Sequence, residues 1–517
     1  MKRWQNLLQY IQFPLKLLFI AIVLLGIGTT MLNPNMGAIY RIESEYYFMI
    51  ANLLRFTGAI LIQIFPLLVF VKMLSRRYES SVPLFVGLVS IFVLNISMIF
   101  FLDSSYPTHF YRDFLGIKID FTSLDLSSNL IVSPFNVGII SLFIIYFLIK
   151  YTYKKSRHHT IHGILSFIDH DTWFLLTAIT CAILSGIGIA IAWPVVIMGL
   201  NGFMEMIASD ITNPLFVFIY TIFERVAALF DLIDIPRSVF WFGDFGGSWM
   251  DLAGSKFVGD VAIWTAQSKM DLLNLSGGRF ITIYYVINMF IIPSFLVAYY
   301  TLVSNKKDRK RYLPFIILAI IVSFFCGNSL PYEVLMVILC PLLYIFYLFL
   351  ISVIAAIFTA LNFNLGYFFE GPLMVANPGS GIDFIAYMRN PNLFSSLLMI
   401  VFMGIIAAII FYIVIRKYFN KYALSLIELD TYKKYVSNTV MALGGIDNII
   451  KVDSTPDKLV CHLNDKTLVD FDALQEIGAY LVVDARKGYL IRLERGSIMI
   501  YNEITKMLKE KNDGTDI

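Results

Sequence analysis

The chain has 517 residues, of which 58% are hydrophobic and 15% are charged, and its formal net charge is +3. So little charge over this length indicates a polytopic membrane protein and argues against an ordinary soluble enzyme, while the small net charge gives no reason to expect a nucleic-acid partner. The four cysteines are widely spaced and form no C-x-x-C pair. The sequence therefore indicates neither a disulfide framework nor a metal site, and no cofactor is expected.

Ten apolar segments of suitable length predict ten membrane spans, since a span needs roughly 17–25 residues. They lie at 14–32, 48–73, 83–102, 134–150, 173–199, 213–230, 280–303, 312–327, 334–361 and 394–416. The first run follows Lys2 and Arg3 and lacks a small-residue cleavage site. It is therefore interpreted as a retained span rather than a signal peptide.

Basic residues orient these spans, because cytoplasmic loops carry an excess of lysine and arginine. The segment 103–133 has few of them and is expected outside, and an even number of spans places both termini in the cytoplasm. A dense basic block at 306–311 breaks this alternation after span seven. It is cytoplasmic only if one crossing is miscounted before it and another after it.

Two irregular segments interrupt the apolar pattern. The segment 231–279 is rich in glycine and contains three tryptophans, so it is either a re-entrant hairpin lining a cavity or a long surface loop. The segment Cys326–Glu333 breaks two apolar runs at Gly327 and Pro331 and brings a glutamate close to the hydrocarbon. Broken helices in the second half of a transporter point to a binding site.

The composition changes after Lys421. We predict a membrane domain at 1–421, a polar helix-prone linker at 422–440, a small α/β domain at 441–508 and a disordered tail at 509–517. In the α/β domain, residues 458–463 alternate as a strand does, with Leu459, Cys461 and Leu463 on one face. Further strands are predicted at 480–483 and 489–493, and a closing helix at 497–508.

Several motifs resemble one known family. Its marks in the membrane domain and the tail are Gly259–Gln267, Ser276–Phe280, Gly327–Glu333, Pro341–Tyr344 and the stretch Ala-Leu-Gly-Gly-Ile-Asp-Asn-Ile-Ile at 442–450. In this order they resemble enzymes IIC and IIB of the glucose/maltose family of the bacterial phosphotransferase system. The resemblance implies a homodimeric ten-span carrier in the bacterial plasma membrane, in contact with lipid, with two re-entrant hairpins. It also implies uptake of a sugar coupled to its phosphorylation, with phosphate supplied by a separate IIA protein.

The membrane domain departs from the family at its sugar-binding positions. Where the family reads roughly G-I-T-E-P-I-E-F, this chain has Leu330 at the first glutamate and keeps the second as Glu333. An intramembrane glutamate is either a ligand for sugar hydroxyls or a structural partner of an arginine, and both interpretations stay open.

The family's E-R pair near the end of span six is kept as Glu224 and Arg225. Its two histidines are replaced by Ile233 and Asp234, of which only the second has a side chain that accepts a proton. We take Glu333, Asp234, Arg225 and Glu224 as candidate sugar-binding residues, although a structural role for the E-R pair is an open alternative.

The tail departs from the family at its phosphate-accepting cysteine. The family's loop D-A-C-I-T-R-L-R aligns with residues 453–460, which places Thr455 at the cysteine, Lys458 at the first arginine and Val460 at the second. A threonine hydroxyl is a poor nucleophile without a base, and Asp457 repels phosphate. Cys461 is expected to face the core, so it is a poor substitute.

Two main hypotheses follow. The chain is a sugar transporter subunit of the phosphotransferase type whose own phosphoryl transfer has degenerated, so that it binds or carries a sugar-like ligand passively or uses another protein's IIB domain. Alternatively it is a membrane-tethered regulator whose unphosphorylatable IIB-like domain docks a partner. A third hypothesis, a decaying and inactive gene product, is disfavoured because the spans are uninterrupted and the tail is well patterned.

Overall fold

The structure of the protein is a computed structural model. It describes residues 2–517 except 33–43, 79, 103–105, 113–132, 158–168, 271, 273–274, 303–305, 368–377, 423–429, 456–457, 478, 486–487, 494–499, 502 and 509–517. The predicted disordered tail at 509–517 lies outside the described residues. The chain divides into two compact units, Met1–Tyr422 and Ala423–Ile517.

The first unit is helical apart from one small hairpin. Its α-helices are α1 Lys2–Leu32, α2 Glu45–Gln63, α3 Phe65–Arg77, α4 Val82–Phe100, α5 Ile140–Arg157, α6 His170–Ala208, α7 Pro214–Leu229, α8 Asp234–Phe240, α9 Asp260–Lys269, α10 Thr282–Val286, α11 Ile292–Leu302, α12 Lys306–Cys326, α13 Leu330–Leu339, α14 Pro341–Ala360, α15 Gly381–Tyr387 and α16 Phe394–Tyr422. A π-helix, Ile287–Ile291, joins α10 to α11. Single 3-10 turns lie at Thr108–Phe110, Asp244–Gly246 and Pro391–Leu393.

Fewer helices than predicted are long enough to cross a membrane. Among the described residues six qualify, or seven if α2 and the start of α3, bent by 49° to each other, form one span. Ten spans are thus not confirmed. The predicted span 213–230, for example, forms a helix of only 16 residues, which is about 24 Å long and shorter than the hydrocarbon core.

One predicted span consists of two helices. The segment 334–361 is divided at Cys340, whose backbone is extended (φ −159°, ψ 96°) between α13 and α14. The preceding break lies where Gly327 and Pro331 predict it, since Gly327 adopts a φ of 63° and Pro331 lies in the first turn of α13. The two breaks leave α13 as a helix of 10 residues between two longer helices.

The segment 231–279 packs into the first unit instead of forming an exposed loop. It contains α8, a two-stranded antiparallel hairpin of β1 Ser248–Met250 and β2 Lys256–Val258, and α9. Trp241 and Trp264 in this segment are 1% and 0% exposed. Gly277 is required where the chain passes α9, because a Cβ there would lie 2.3 Å from the Trp264 backbone nitrogen.

Helices α11 and α16 run parallel to each other. A Cβ on Gly404 would lie 2.4 Å from the Phe290 ring, so these residues are in close contact. One turn further along both helices, the Ser294 hydroxyl donates to the Ala408 carbonyl at 2.6 Å. Both pairs are separated by the same 114 residues in sequence, which only a parallel arrangement allows.

This arrangement bears on the predicted alternation of the spans. The same offset places the end of α11, at Leu302, level with Arg416 on α16. The basic run at 306–311 follows Leu302 and therefore begins at the end of the unit where Arg416 and Lys417 lie. Two intervening spans would make α11 and α16 antiparallel, so one crossing between them is miscounted in the predicted set.

The second unit is a four-stranded antiparallel sheet packed with helices. The strands are β3 Ile449–Thr455, β4 Lys458–Leu463, β5 Ala479–Ala485 and β6 Gly488–Leu493, in the spatial order β3-β4-β6-β5. The helices are α17 Asp430–Ala442, α18 Phe471–Glu476, the 3-10 turns Ile446–Asn448 and Lys466–Leu468, and helical residues at 500–508 with 502 not described.

Helix α17 belongs to this unit by its packing, although its first part lies in the predicted linker. Val436 and Val440 are 1% and 9% exposed and join the same core as Leu459 and Cys461 of β4. The alternation predicted for β4 is confirmed, since Leu459, Cys461 and Leu463 are buried while their neighbours are not.

Candidate functional site

Charged side chains that lie far apart in the sequence meet in the interior of the first unit. Helix α7 contributes the adjacent Glu224 and Arg225, which are 1% and 3% exposed, and the first turn of α13 contributes Glu333, which is 0% exposed. Helices α8 and α10 add Arg237 and Tyr284. We call these five residues the ion cluster.

Arg225 connects the two carboxylates of the ion cluster. Its Nη1 lies 3.1 Å from Oε1 of Glu333 and donates to the Ser329 hydroxyl at 3.1 Å. Its Nη2 lies 3.1 Å from Oε1 of Glu224 and also donates to the Tyr284 hydroxyl. A planar guanidinium with five donors suits this role, because it can engage two carboxylates at once.

Arg237 supplies a second guanidinium on the other side of Glu224. Its Nε donates to Oε1 of Glu224 at 2.8 Å and its Nη2 to the Tyr284 hydroxyl at 2.7 Å. The guanidinium lies over the Trp241 indole, 4.3 Å from the ring centroid, because one helical turn separates the two residues. With 20% of its side chain exposed, Arg237 is the least buried charged member of the ion cluster.

The ion cluster balances its charges and most of its hydrogen bonds. Two guanidiniums face two carboxylates, and the Tyr284 hydroxyl donates to Glu224 while it accepts from both arginines. Burial of an unpaired charge costs several kcal/mol, about 3–5 when one partner of a buried pair is removed. The ion cluster is therefore stable only while each buried charge keeps a partner of opposite charge.

One buried carboxylate oxygen in the ion cluster has no hydrogen-bond partner in the part of the chain that the structure describes. Oε1 of Glu333 accepts from Arg225 and from the Tyr347 hydroxyl at 2.8 Å, whereas Oε2 has no hydrogen bond within the described part of the chain. Nε of Arg225 is likewise buried without a partner there. A ligand hydroxyl can donate to the first atom or accept from the second, so these atoms give the site capacity for a polyhydroxylated ligand.

The predicted sugar-binding residues are brought together only in part. Glu224, Arg225 and Glu333 meet in the ion cluster, while Asp234 lies outside it. The Asp234 side chain is 53% exposed and stands 4.0 Å from Nε of Arg112. Arg112 forms a closer ion pair with Asp231, at 2.8 Å.

Sequence reasoning missed Arg237 and Tyr284. Their pairing with Glu224 depends on helices that meet only in the folded protein, so no spacing rule gives it. The one sequence signal is the charge itself, because Arg237 is the only charged residue in the mainly apolar stretch 235–242. An ionisable residue in such surroundings is a functional candidate by default.

In the second unit, Thr455, which the resemblance aligns with the phosphate-accepting cysteine, lies at a strand end. Thr455 is the last residue of β3 and pairs across the sheet with Lys458, the first residue of β4. Asp457 and the residue before it lie outside the described residues. The antiparallel pairing of β3 with β4 places Thr455 opposite Lys458, and only the resemblance aligns Thr455 with the family's phosphate-accepting cysteine.

Cys461 lies in the middle of β4, and its side chain packs in the core of the second unit. It is 0% exposed, between Leu459 and Leu463 on the buried face of β4. Burial raises the pKa of its thiol to about 12, so the thiolate needed for phosphoryl transfer does not form near neutral pH. No group of three or more metal-binding side chains occurs among the residues the structure describes.

These observations define a class: a multi-pass helical membrane protein with a buried ion cluster, followed by a small strand-containing unit. No protein-family model matches the chain. It is 26% identical over 498 residues to the PTS system glucose-specific EIICBA component of Staphylococcus carnosus (strain TM300), covering 93% of this chain and 69% of that protein. This similarity, with the apolar helices, supports the assignment of the chain to the phosphotransferase IIC/IIB family and to the plasma membrane.

Proposed function

We propose that the protein is a sugar transporter subunit of the phosphotransferase type that binds its sugar at the ion cluster and does not phosphorylate it through its own C-terminal unit. The observation that carries the proposal is Glu333, a fully buried carboxylate with one oxygen that has no hydrogen-bond partner among the described residues. The similarity to a glucose-specific relative supports the substrate class.

The position of Glu333 supports a role in transport. It lies in the first turn of α13, just after the chain breaks at Gly327 and before the second break at Cys340. Transporter sites form where helices are discontinuous, since the short helix between two breaks can move as a unit. Movement of α13 would carry Glu333 and Ser329 away from Arg225 and open the ion cluster.

The surroundings of the ion cluster suit a neutral sugar. The four formal charges cancel, so an ionic ligand would gain no net attraction. Trp241, Tyr284 and Tyr344 provide ring faces and edges around the charged groups, and the Tyr344 hydroxyl donates to the Arg225 carbonyl at 3.2 Å. Aromatic surfaces combined with a few fixed polar groups are typical of small-molecule sites.

The C-terminal unit supports the second half of the proposal. Thr455 replaces the acceptor, and Cys461 is buried in the core with a raised thiol pKa. Phosphate, where the transported sugar receives it, would then come from a separate IIB protein. Cytoplasmic termini and a homodimer, both implied by the resemblance, remain predictions.

Sugar binding tests the proposal directly. In Glu333→Gln the carboxylate becomes an amide of nearly the same shape, and we expect radiolabelled glucose or maltose to bind at least tenfold more weakly to the purified protein. A hydrogen bond to a charged group contributes about 1.5–3 kcal/mol, which corresponds to a factor of about 10 to 100. The matched control is Glu205→Gln, since Glu205 is exposed on α6.

Two results would count against the proposal. One is saturable sugar binding that Glu333→Gln and Glu205→Gln leave equally unchanged, because the site would then lie elsewhere. The other is the absence of binding of any tested hexose or disaccharide to the folded wild-type protein.

A tethered regulator is the second candidate, favoured by one surface of the C-terminal unit. Strand β5 lies at the edge of the sheet and exposes Leu481 and Val483, which are 43% and 45% accessible. An exposed apolar edge strand offers unpaired backbone groups to a partner. If this edge docks a cytoplasmic protein, Leu481→Glu abolishes its capture by the full-length protein, while Ile450→Glu on β3 does not.

A further inference from the structure

A groove outside the ion cluster lies between the parallel helices α11 and α16. It has a volume of about 390 Å³ and is lined by Phe290, Pro293, Val297, Ala408, Ile409 and Tyr412 among others. Val297 and Ile409 are 42% and 54% exposed, so the groove is open along its side. We call it the α11–α16 groove.

The shape of the groove follows from small residues at the contact between the helices. Gly404 lets the Phe290 ring lie directly against α16, and the hydrogen bond from Ser294 to the Ala408 carbonyl holds the next turn. Beyond this contact, toward the C-terminal ends of both helices, the two helices leave an apolar channel. The groove lies on helices that are long and apolar enough to span a membrane, so we expect lipid around it.

A basic group stands at one end of the groove. Nη1 of Arg416 donates to the hydroxyl of Tyr412, which lines the groove, at 3.3 Å. No carboxylate in the described part of the chain pairs with Arg416. Lys417 follows it in sequence, and the basic run at 306–311 begins at the same end of the helix pair.

We infer that the α11–α16 groove binds an anionic phospholipid, with an acyl chain in the apolar channel and the phosphate at Arg416. Basic pockets between membrane helices on the cytoplasmic side recognise anionic headgroups, and each lysine or arginine near the surface contributes about a factor of five to the affinity. A zwitterionic lipid offers the same acyl chain without a net negative charge. The site should therefore prefer the anionic lipid.

The groove also adjoins the ion cluster through one continuous segment. The π-helix Ile287–Ile291 carries Phe290 at the groove, and α10, just before it, carries Tyr284 of the ion cluster. The Asn288 carbonyl accepts from the Ser323 hydroxyl at 2.8 Å, which ties this segment to α12. π-Helical turns are frequent at functional sites, so an occupied groove is placed to stabilise the segment that holds Tyr284.

The test is competition between two lipids on the full-length protein. Purified protein in a mild detergent is mixed with equal amounts of phosphatidylglycerol and phosphatidylcholine of identical acyl chains, and the bound lipids are counted by native mass spectrometry. We expect the wild-type protein to retain phosphatidylglycerol preferentially. Arg416→Gln should lower this preference about fivefold, and Arg416→Lys should keep it.

Matched variants separate the groove from general effects. Val297→Trp fills the channel and should lower retention of both lipids, whereas Val195→Trp adds the same ring at an exposed position of α6 and should not. Arg389→Gln removes an exposed arginine near the opposite end of α16 and should leave the preference unchanged. Thermal unfolding of each variant confirms that it is folded.

Three results would overturn the inference. Equal retention of the two lipids by the wild-type protein is one, and an unchanged preference in Arg416→Gln is another. The third is a change of oligomeric state in Val297→Trp without loss of lipid, which would assign the groove to a second copy of the chain. None of these results depends on whether the protein binds a sugar.

Discussion

The ion cluster of the membrane unit and the strand turn at Thr455 differ in how strongly the fold constrains them. In the ion cluster, Arg225 pairs with two buried carboxylates, so its replacement leaves Glu333 without an ionic partner among the described residues. Thr455, by contrast, ends a strand whose pairing with β4 is made by backbone groups. A residue at such a strand end can change with little cost to the sheet, whereas removal of one partner from a buried ion pair in the ion cluster is costly.

The largest expected effect comes from Arg225→Met, which breaks the constraint on the ion cluster. It leaves Glu333 with only the Tyr347 hydroxyl, and we expect a loss of about 3–5 kcal/mol of stability, enough to prevent recovery of folded protein. Size-exclusion chromatography and thermal unfolding in detergent measure this. Arg389→Met, at an exposed position, is the control.

The double variant Arg225→Met with Glu333→Met sharpens the same comparison. It removes both members of the Arg225–Glu333 pair and leaves Glu224 paired with Arg237, so no buried charge in the ion cluster lacks a partner. We therefore expect folded protein to return, without sugar binding. If Arg225→Met alone folds as well as the wild type, the constraint on the ion cluster is not as strong as its geometry indicates.

A smaller effect is expected at Arg237. Arg237→Lys keeps the charge but cannot contact Glu224 and Tyr284 while lying flat on Trp241, so we expect a loss of about 1–3 kcal/mol together with weaker sugar binding. Thermal unfolding and radiolabelled sugar binding report the two effects separately. Equal behaviour of Arg237→Lys and the wild type in both assays would show that its hydrogen-bond geometry is unimportant.

The smallest effect concerns Cys461 in the C-terminal unit. Because burial raises the pKa of its thiol to about 12, we expect native protein at pH 8 to resist alkylation by iodoacetamide at this residue, while denatured protein reacts. Asp472→Cys, on the exposed surface of α18, provides a reactive control in the same unit. Rapid alkylation of native Cys461, detected by mass spectrometry of peptides, would reopen its role as a phosphoryl acceptor.

The sequence predicts local features of both units well. The alternation at 458–463 predicts β4 and its buried face, and Gly327 with Pro331 predicts the break before α13. Glu333 stands out because a carboxylate in an apolar region is costly unless it has partners. Each of these predictions depends on residues that are close in sequence.

The partners of the ion cluster are beyond such reasoning. Glu333 pairs with Arg225 across 108 residues of sequence, and Tyr284 with Glu224 across 60. Which helices meet is decided by the packing of the whole unit. For the same reason the sequence did not place Asp234 outside the ion cluster or show that α11 and α16 are parallel.

Phosphoryl transfer to the chain is the most direct test of the contrast between the two units. The full-length protein is incubated with labelled phosphoenolpyruvate and the soluble relay proteins, with a cysteine-bearing enzyme IIB domain as positive control, while sugar binding is measured on the same preparation. We predict saturable sugar binding and no phosphoryl label on the chain. Label at Thr455 or Cys461 would contradict the account.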